Sequence, residues 1–130
     1  MIRIGVVGCG HLGGIHNKLL NASKNFDLLG FLDNDDKRAI EIRQQYNIRR
    51  FEDINELSNQ INAVIIATPT TSHYSLAKFF LQQKKHVFIE KPITSTIQEA
   101  KELTLLANKF GLIGQVGHVE RFNSAFSNVK

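Results

Sequence analysis

The stretch Ile2-Arg-Ile-Gly-Val-Val-Gly-Cys-Gly-His-Leu-Gly13, with Asp33 following about twenty residues after it, decides how this chain folds. Ile2 to Val7 is an apolar run with little polar alternation, the pattern of a strand buried on both faces of a parallel sheet. Gly8 permits a tight turn out of that strand. Gly10 lets backbone approach a pyrophosphate closely, and Gly13 lets the following helix pack against the strand. The N-terminus of that helix offers unpaired N–H groups and a partial positive charge to phosphates. Ile15, Leu19 and Ala22, at helical spacing, are expected to form its inward stripe. A strand, a glycine turn, a helix and then an acid at the end of a second strand are the parts a dinucleotide site needs, in that order. A structural turn in some other α/β protein is the competing reading of the glycines alone.

The rest of the chain repeats the alternation. Leu28 to Asp33 reads as a second strand and Asp36 to Tyr46 as a helix burying Ala39, Ile42 and Tyr46. Arg49 to Phe51 reads as a short strand, and Asp53-Ile-Asn-Glu56 as a capping box opening a short helix. Ala63 to Ala67 is a Val-Ile-Ile strand. Ser72 to Gln83 is a helix with Ala77, Phe80 and Leu81 inward, and His86 to Glu90 is the next strand. Thr96-Ile-Gln-Glu99 is a second capping box, opening a helix with Ala100, Leu103, Ala107 and Phe110 on one stripe, closed by Gly111. Leu112 to Val116 is the last strand, and Glu120 to Lys130 begins another helix. The expected architecture is α/β, one domain built on a doubly wound parallel sheet. Residues 1–120 form the domain. Residues 121–130 run in helical pattern to the last residue without a capping glycine or proline, and are expected to start a connection to a further domain.

Composition narrows the class. The 130 residues are 42% hydrophobic and 22% charged, enough apolar content for one real core in a globular domain. No apolar stretch reaches the length of a membrane span, and no signal-peptide pattern opens the chain. One cysteine, Cys9, excludes an internal disulfide and a cysteine zinc cluster, which makes the cytoplasm the default location. The net charge of +4 is spread over pairs such as Arg49-Arg50 and Lys84-Lys85. No basic stripe with interleaved aromatics appears, so no nucleic-acid or membrane partner is read.

In an open parallel sheet the carboxyl ends of the strands converge on one crevice. Gly8 to Gly13, including His11 and Leu12, Asp33, Thr68-Pro-Thr70 with His73, Glu90-Lys-Pro92, and Gly117-His118 all follow strands. Asp33 can accept from both ribose hydroxyls and would repel a 2′-phosphate, a repulsion to which Asp35 and Asp36 add, so NAD is expected over NADP, with the nearby cations Lys37 and Arg38 weighing the other way; capping the next helix is the alternative role of Asp33. The Thr68 and Thr70 hydroxyls could meet ribose or phosphate, or Thr70 could simply cap a turn. Lys91, between a buried strand and a proline, is the candidate proton donor or acceptor, which partial burial would suit and Glu90 could tune or anchor; an ordinary surface lysine is the alternative. His118 could touch substrate or nicotinamide, with His73 beside it; a structural role is the alternative for each. The five histidines show no metal-ligand spacing, and no metal is read. Small size explains Cys9 in the loop, although a helix N-terminus would favour its thiolate.

Together, Gly8-x-Gly10-x-x-Gly13-x-x-His16, Ala67-Thr-Pro, Glu90-Lys-Pro92 and Val116-Gly-His-Val-Glu-Arg-Phe-Asn123 resemble the N-terminal domain of the glucose–fructose oxidoreductase/inositol dehydrogenase/MocA (Gfo/Idh/MocA) oxidoreductases. The resemblance covers nearly the whole chain. It implies a Rossmann domain binding NAD(P), and hydride transfer between nicotinamide and a sugar, cyclitol or nucleotide-sugar-like substrate. It implies that Lys91 lies near the nicotinamide and the substrate hydroxyl, with a cis bond before Pro92. It also implies a second α/β domain, carrying substrate contacts and the face of a homo-oligomer, that these 130 residues lack. A stand-alone NAD(H)-sensing module is the rival reading, which Glu90-Lys-Pro92 disfavours.

Overall fold

Two separate apolar cores lie on either side of a single sheet, which is why its strands read as unbroken hydrophobic runs. The computed structural model describes residues 1–127. In chain order the elements are β1 (Ile2–Val7), α1 (His11–Ala22), β2 (Phe26–Leu32), α2 (Asp36–Tyr46), α3 (Ile54–Gln60), β3 (Ala63–Ile66), a 3₁₀ turn (Thr70–Ser72), α4 (His73–Gln82), β4 (His86–Glu90), α5 (Ile97–Lys109), β5 (Gly114–Gly117), a second 3₁₀ turn (Val119–Phe122) and α6 (Ser124–Ser127). The five strands are all parallel, in the order β2-β1-β3-β4-β5. The chain winds outward from β1 to β2, crosses back to β3, and winds the other way. The switch point therefore lies between β1 and β3, where an open sheet of this kind forms its ligand crevice.

Successive strand residues serve opposite cores. Val6 joins Leu20 of α1 and Ala39 and Ile42 of α2 on one face. Val7 joins Leu57 of α3, Phe80 and Leu81 of α4, and Leu103 of α5 on the other. Ile65 and Ile66 divide in the same way. Full burial of Phe31, Phe51 and Phe80 contributes about 1.5–3 kcal/mol for each ring.

Several local expectations are corrected. Ile15, Leu19 and Ala22 face solvent; α1 instead buries Gly13, Gly14, Asn17 and Leu20. The glycines bring the start of the helix backbone itself onto the sheet, so Leu20 is the single large apolar side chain on the inner face. Asn17 is held there by donating to the Gly13 carbonyl at 2.9 Å and toward Cys9 Sγ at 3.4 Å. β2 starts at Phe26, two residues early, because the β1 pairing runs through a register shift beside Gly5. Arg49 to Phe51 forms only a bridge, Arg50 opposite Phe31. The Asp53 box is one-sided: Asp53 accepts from the Asn55 and Glu56 amides, which holds its carboxyl below the usual range, while Glu56 pairs with Arg49. α4 begins at His73, after a 3₁₀ turn, rather than at Ser72. β5 begins at Gly114, not Leu112, and Val119–Phe122 is a 3₁₀ turn ahead of α6; the remainder of the expected last helix, 128–130, lies outside the described residues. The Thr96–Glu99 box has both arms, each at 3.2 Å, and Gly111 closes α5 at φ 63°.

Phe80→Ala should destabilise the domain by about 3–5 kcal/mol. Leu19→Lys, on the exposed side of α1, should change stability by no more than about 0.5 kcal/mol. Denaturant unfolding of the two variants checks this, and a large loss from Leu19→Lys would contradict the helix orientation.

Candidate cofactor crevice

At the switch point, the exits of β1 and β3 press together. Gly8 adopts φ +90°, and a Cβ there would lie 2.6 Å from the Ala67 carbonyl oxygen, so only glycine makes the turn. A Cβ on Gly13 would fall 1.8 Å from the Gly8 carbonyl oxygen; the helix can start this close to the strand only without a side chain. Gly10 is different. A Cβ there would meet nothing within 4 Å, and it caps α1 without a side-chain hydrogen bond. No acid stands in the first turn, and no N–H from Gly10 to Gly13 has a protein acceptor among the described residues. An open loop with a row of unsatisfied donors at a helix N-terminus suits a pyrophosphate.

The acid expected to read the ribose is locked onto this loop. Asp33 Oδ2 accepts from the Cys9 amide at 2.5 Å, and Oδ1 accepts from the Asp35 amide at 2.7 Å. The cap of α2 is Asp35, which accepts from the Arg38 amide at 3.0 Å, so Asp33 is not the helix cap. Arg38 Nε donates to the Cys9 carbonyl at 2.5 Å, and Arg50 Nη2 donates to the Asp33 carbonyl at 2.8 Å and to Asp36 Oδ1 at 2.7 Å. Cys9 itself is fully buried. Burial, then the neighbouring Asp33 charge, pushes its thiol up to about 12, so Cys9 fits the loop as a small buried residue and the alternative of a thiolate favoured by the helix N-terminus falls away.

The other strand exits complete the crevice wall. Ser72 Oγ donates to Thr68 Oγ1 at 2.7 Å and lies 2.8 Å from the Pro69 carbonyl, ordering the Thr68-Pro69-Thr70 turn. His73 is 1% exposed, with its Nε2 2.8 Å from the Thr68 carbonyl oxygen and its Nδ1 2.8 Å from that of Pro92. Glu90 is 4% exposed, and its Oε1 lies 2.5 Å from His16 Nε2; the His16 ring stands edge-on to Phe88. Gly117 pairs with Glu90 across β4 and β5, and a Cβ there would crowd Glu90 Oε2 at 2.9 Å. Lys91 is exposed rather than partly buried, and it precedes a cis bond to Pro92. Its side chain has no hydrogen-bond or ion-pair partner among the described residues. His118 is exposed just beyond β5.

The topology thus gathers Gly8 to Gly13, Asp33, Thr68, Glu90 and Lys91 along one edge of the sheet, and sets His73 inside the wall. Arg38 was visible only as a cation near Asp33; its bond to the Cys9 carbonyl, 29 residues away, and that of Arg50 to the Asp33 carbonyl, 17 residues away, carried no sequence signal. His16 had one: a histidine one helical turn beyond the last glycine of the motif.

Fold and crevice define a dinucleotide-binding Rossmann domain. The Gfo/Idh/MocA model, described as an oxidoreductase family with an NAD-binding Rossmann fold, matches residues 2–118, and the chain belongs to that family. It is 33% identical over 129 residues to UDP-N-acetylglucosamine 3-dehydrogenase of Acidithiobacillus ferrooxidans, covering 99% of this chain and 41% of the relative. A solved structure of that enzyme superposes with a TM-score of 0.90 at 34% identity, over 97% of this chain and 41% of the other. The scyllo-inositol 2-dehydrogenase (NAD(+)) of Bacillus subtilis is 32% identical over 133 residues, covering 99% of this chain and 39% of the relative. The chain therefore spans well under half the length of these relatives. No helix among the described residues is long and apolar enough to cross a membrane.

A thiol-directed probe at mildly alkaline pH should leave Cys9 unmodified in the native protein and label it stoichiometrically after denaturation. Rapid native labelling would contradict the buried, protonated thiol.

Proposed function

We propose that this protein holds NAD in the crevice and is the cofactor half of an oxidoreductase acting on a sugar, cyclitol or nucleotide-sugar-like substrate. The observation that carries the reading is the row of unpartnered N–H groups from Gly10 to Gly13 beside an Asp33 carboxylate fastened to the same loop. Gly8, Gly10, His11, Leu12 and Gly13 would hold the pyrophosphate by backbone. Asp33, oriented by two amides, keeps lone pairs for the ribose hydroxyls and disfavours a 2′-phosphate. Thr68, Pro69 and Thr70 would border the cofactor from β3, with Glu90, Lys91 and His118 toward its far end and His73 behind them. When bound, the nicotinamide accepts or gives a hydride. Lys91, exposed and unpartnered at the β4 exit, would hold or move the proton of the substrate hydroxyl. The dehydrogenase names of the relatives support the substrate class.

Their greater length supports a second domain for substrate contacts and homo-oligomer formation, with residues 121–130 as the connection. A cytoplasmic location suits the single, buried, unpaired thiol.

Calorimetric titration of the chain with each dinucleotide tests the assignment. NAD should bind at least about tenfold more tightly than NADP, and Asp33→Ala should weaken NAD by about tenfold or more while narrowing that preference. Tighter binding of NADP, or heat from neither ligand, would refute the proposal.

A further inference from the structure

Lys91 is held from both sides by groups other than its own side chain. Glu90, before it, is buried with Oε1 2.5 Å from His16 Nε2. Pro92, after it, presents its carbonyl oxygen 2.8 Å from His73 Nδ1, and the same ring reaches the Thr68 carbonyl oxygen at 2.8 Å through Nε2. The two rings come from opposite faces of the sheet. His16 projects from α1, whose Leu20 belongs to one core, and His73 opens α4, whose Phe80 belongs to the other. Each ring also connects to a different cofactor-facing loop. His16 lies one turn beyond Gly13, and His73 bonds the turn after β3.

We propose that His16 and His73 are positioning residues. His16 holds the Glu90 side chain from the helix that follows the glycine loop, and His73 holds the Pro92 carbonyl against the Thr68 turn, and together they order the nicotinamide end of the crevice without touching the cofactor. The inference rests on the NAD reading above. The buried His73 ring packs between two carbonyl oxygens, those of Thr68 and Pro92, and its N–H serves whichever of them the tautomer faces. Glu90 is held by His16, and the absence of a side chain at Gly117 leaves room for its carboxylate in that position. The adenosine end has its own fastenings, through Asp33, Arg38 and Arg50, none of which involves either histidine. The two ends should therefore respond separately.

The test separates the ends with two ligands. ADP-ribose carries the adenosine end without nicotinamide, whereas NADH carries both. The dihydronicotinamide ring of NADH is itself the fluorophore, so the anisotropy of bound NADH reports nicotinamide mobility. His16→Ala and His73→Ala should leave ADP-ribose affinity within about twofold and cut the advantage of NADH over ADP-ribose by about fivefold or more, with lower anisotropy of the bound nicotinamide. His16→Gln, which retains a side-chain N–H for Glu90, should restore most of the advantage. If His73→Ala fails to fold, His73→Gln, which keeps one N–H, and the two His16 variants give the decision. Equal losses for both ligands, unchanged NADH binding and anisotropy, or no rescue by His16→Gln would each overturn the proposal. Wild-type chain that binds ADP-ribose but gains nothing from the nicotinamide would overturn it while leaving the dinucleotide assignment standing. Wild-type chain that binds neither ligand would remove that assignment and this inference with it.

Discussion

The Cys9 backbone is the joint on which the candidate site depends. Its N–H is taken by Asp33 and its carbonyl by Arg38, so the two peptide units flanking Cys9 tie the glycine loop after β1 to the acidic turn after β2 and to α2. Gly8 and Gly13 make this possible by removing the side chains that would hold loop, strand and helix apart. Once the joint is closed, the first-turn amides of α1 have no acceptors among the described residues, and the Asp33 carboxylate has a fixed orientation beside them. Donors for phosphate and acceptors for ribose are then preorganised on one rigid unit, which lowers the ordering cost of binding. Two charge-assisted bonds close it, the stronger class of hydrogen bond.

The same principle extends along the sheet edge. Parallel strands deliver their exits side by side, and side chains from the helices bind those exits together: Ser72 and His73 at the β3 exit, and His16 at the β4 exit. Lys91 is left exposed among braced neighbours. That suits a group that must meet a substrate brought from elsewhere, and it agrees with relatives more than twice as long as this chain.

Much of this was legible in the sequence where one physical signal dominates. Strands buried on both faces need apolar residues at every position, and Ile2 to Val7, Ala63 to Ile66 and His86 to Glu90 stand where they were read, or within a residue of it. The Thr96 box was legible because both of its arms lie within four residues. In α1 apolar periodicity is blind to the inner face, where Gly13, Gly14 and Asn17 accompany a single apolar side chain, Leu20, while Ile15 and Leu19 face outward. β5 was misplaced because Leu112 and Ile113 are apolar but precede the pairing with Val87. The glycine motif, Asp33 and the Glu90-Lys91-Pro92 segment were visible as local patterns. The partners of Asp33, Glu90 and the Pro92 carbonyl were not, since Cys9, His16 and His73 reach them only through the fold.

Mapping the NAD site residue by residue tests the central claim most directly. Amide chemical-shift changes on adding NAD to the labelled chain should concentrate at Gly8 to Gly13, Asp33 to Asp35, Thr68 to Thr70 and Lys91. Changes centred instead on the basic hollow lined by Ile40, Arg43, Asn47 and Arg49, with the glycine loop unperturbed, would contradict the account.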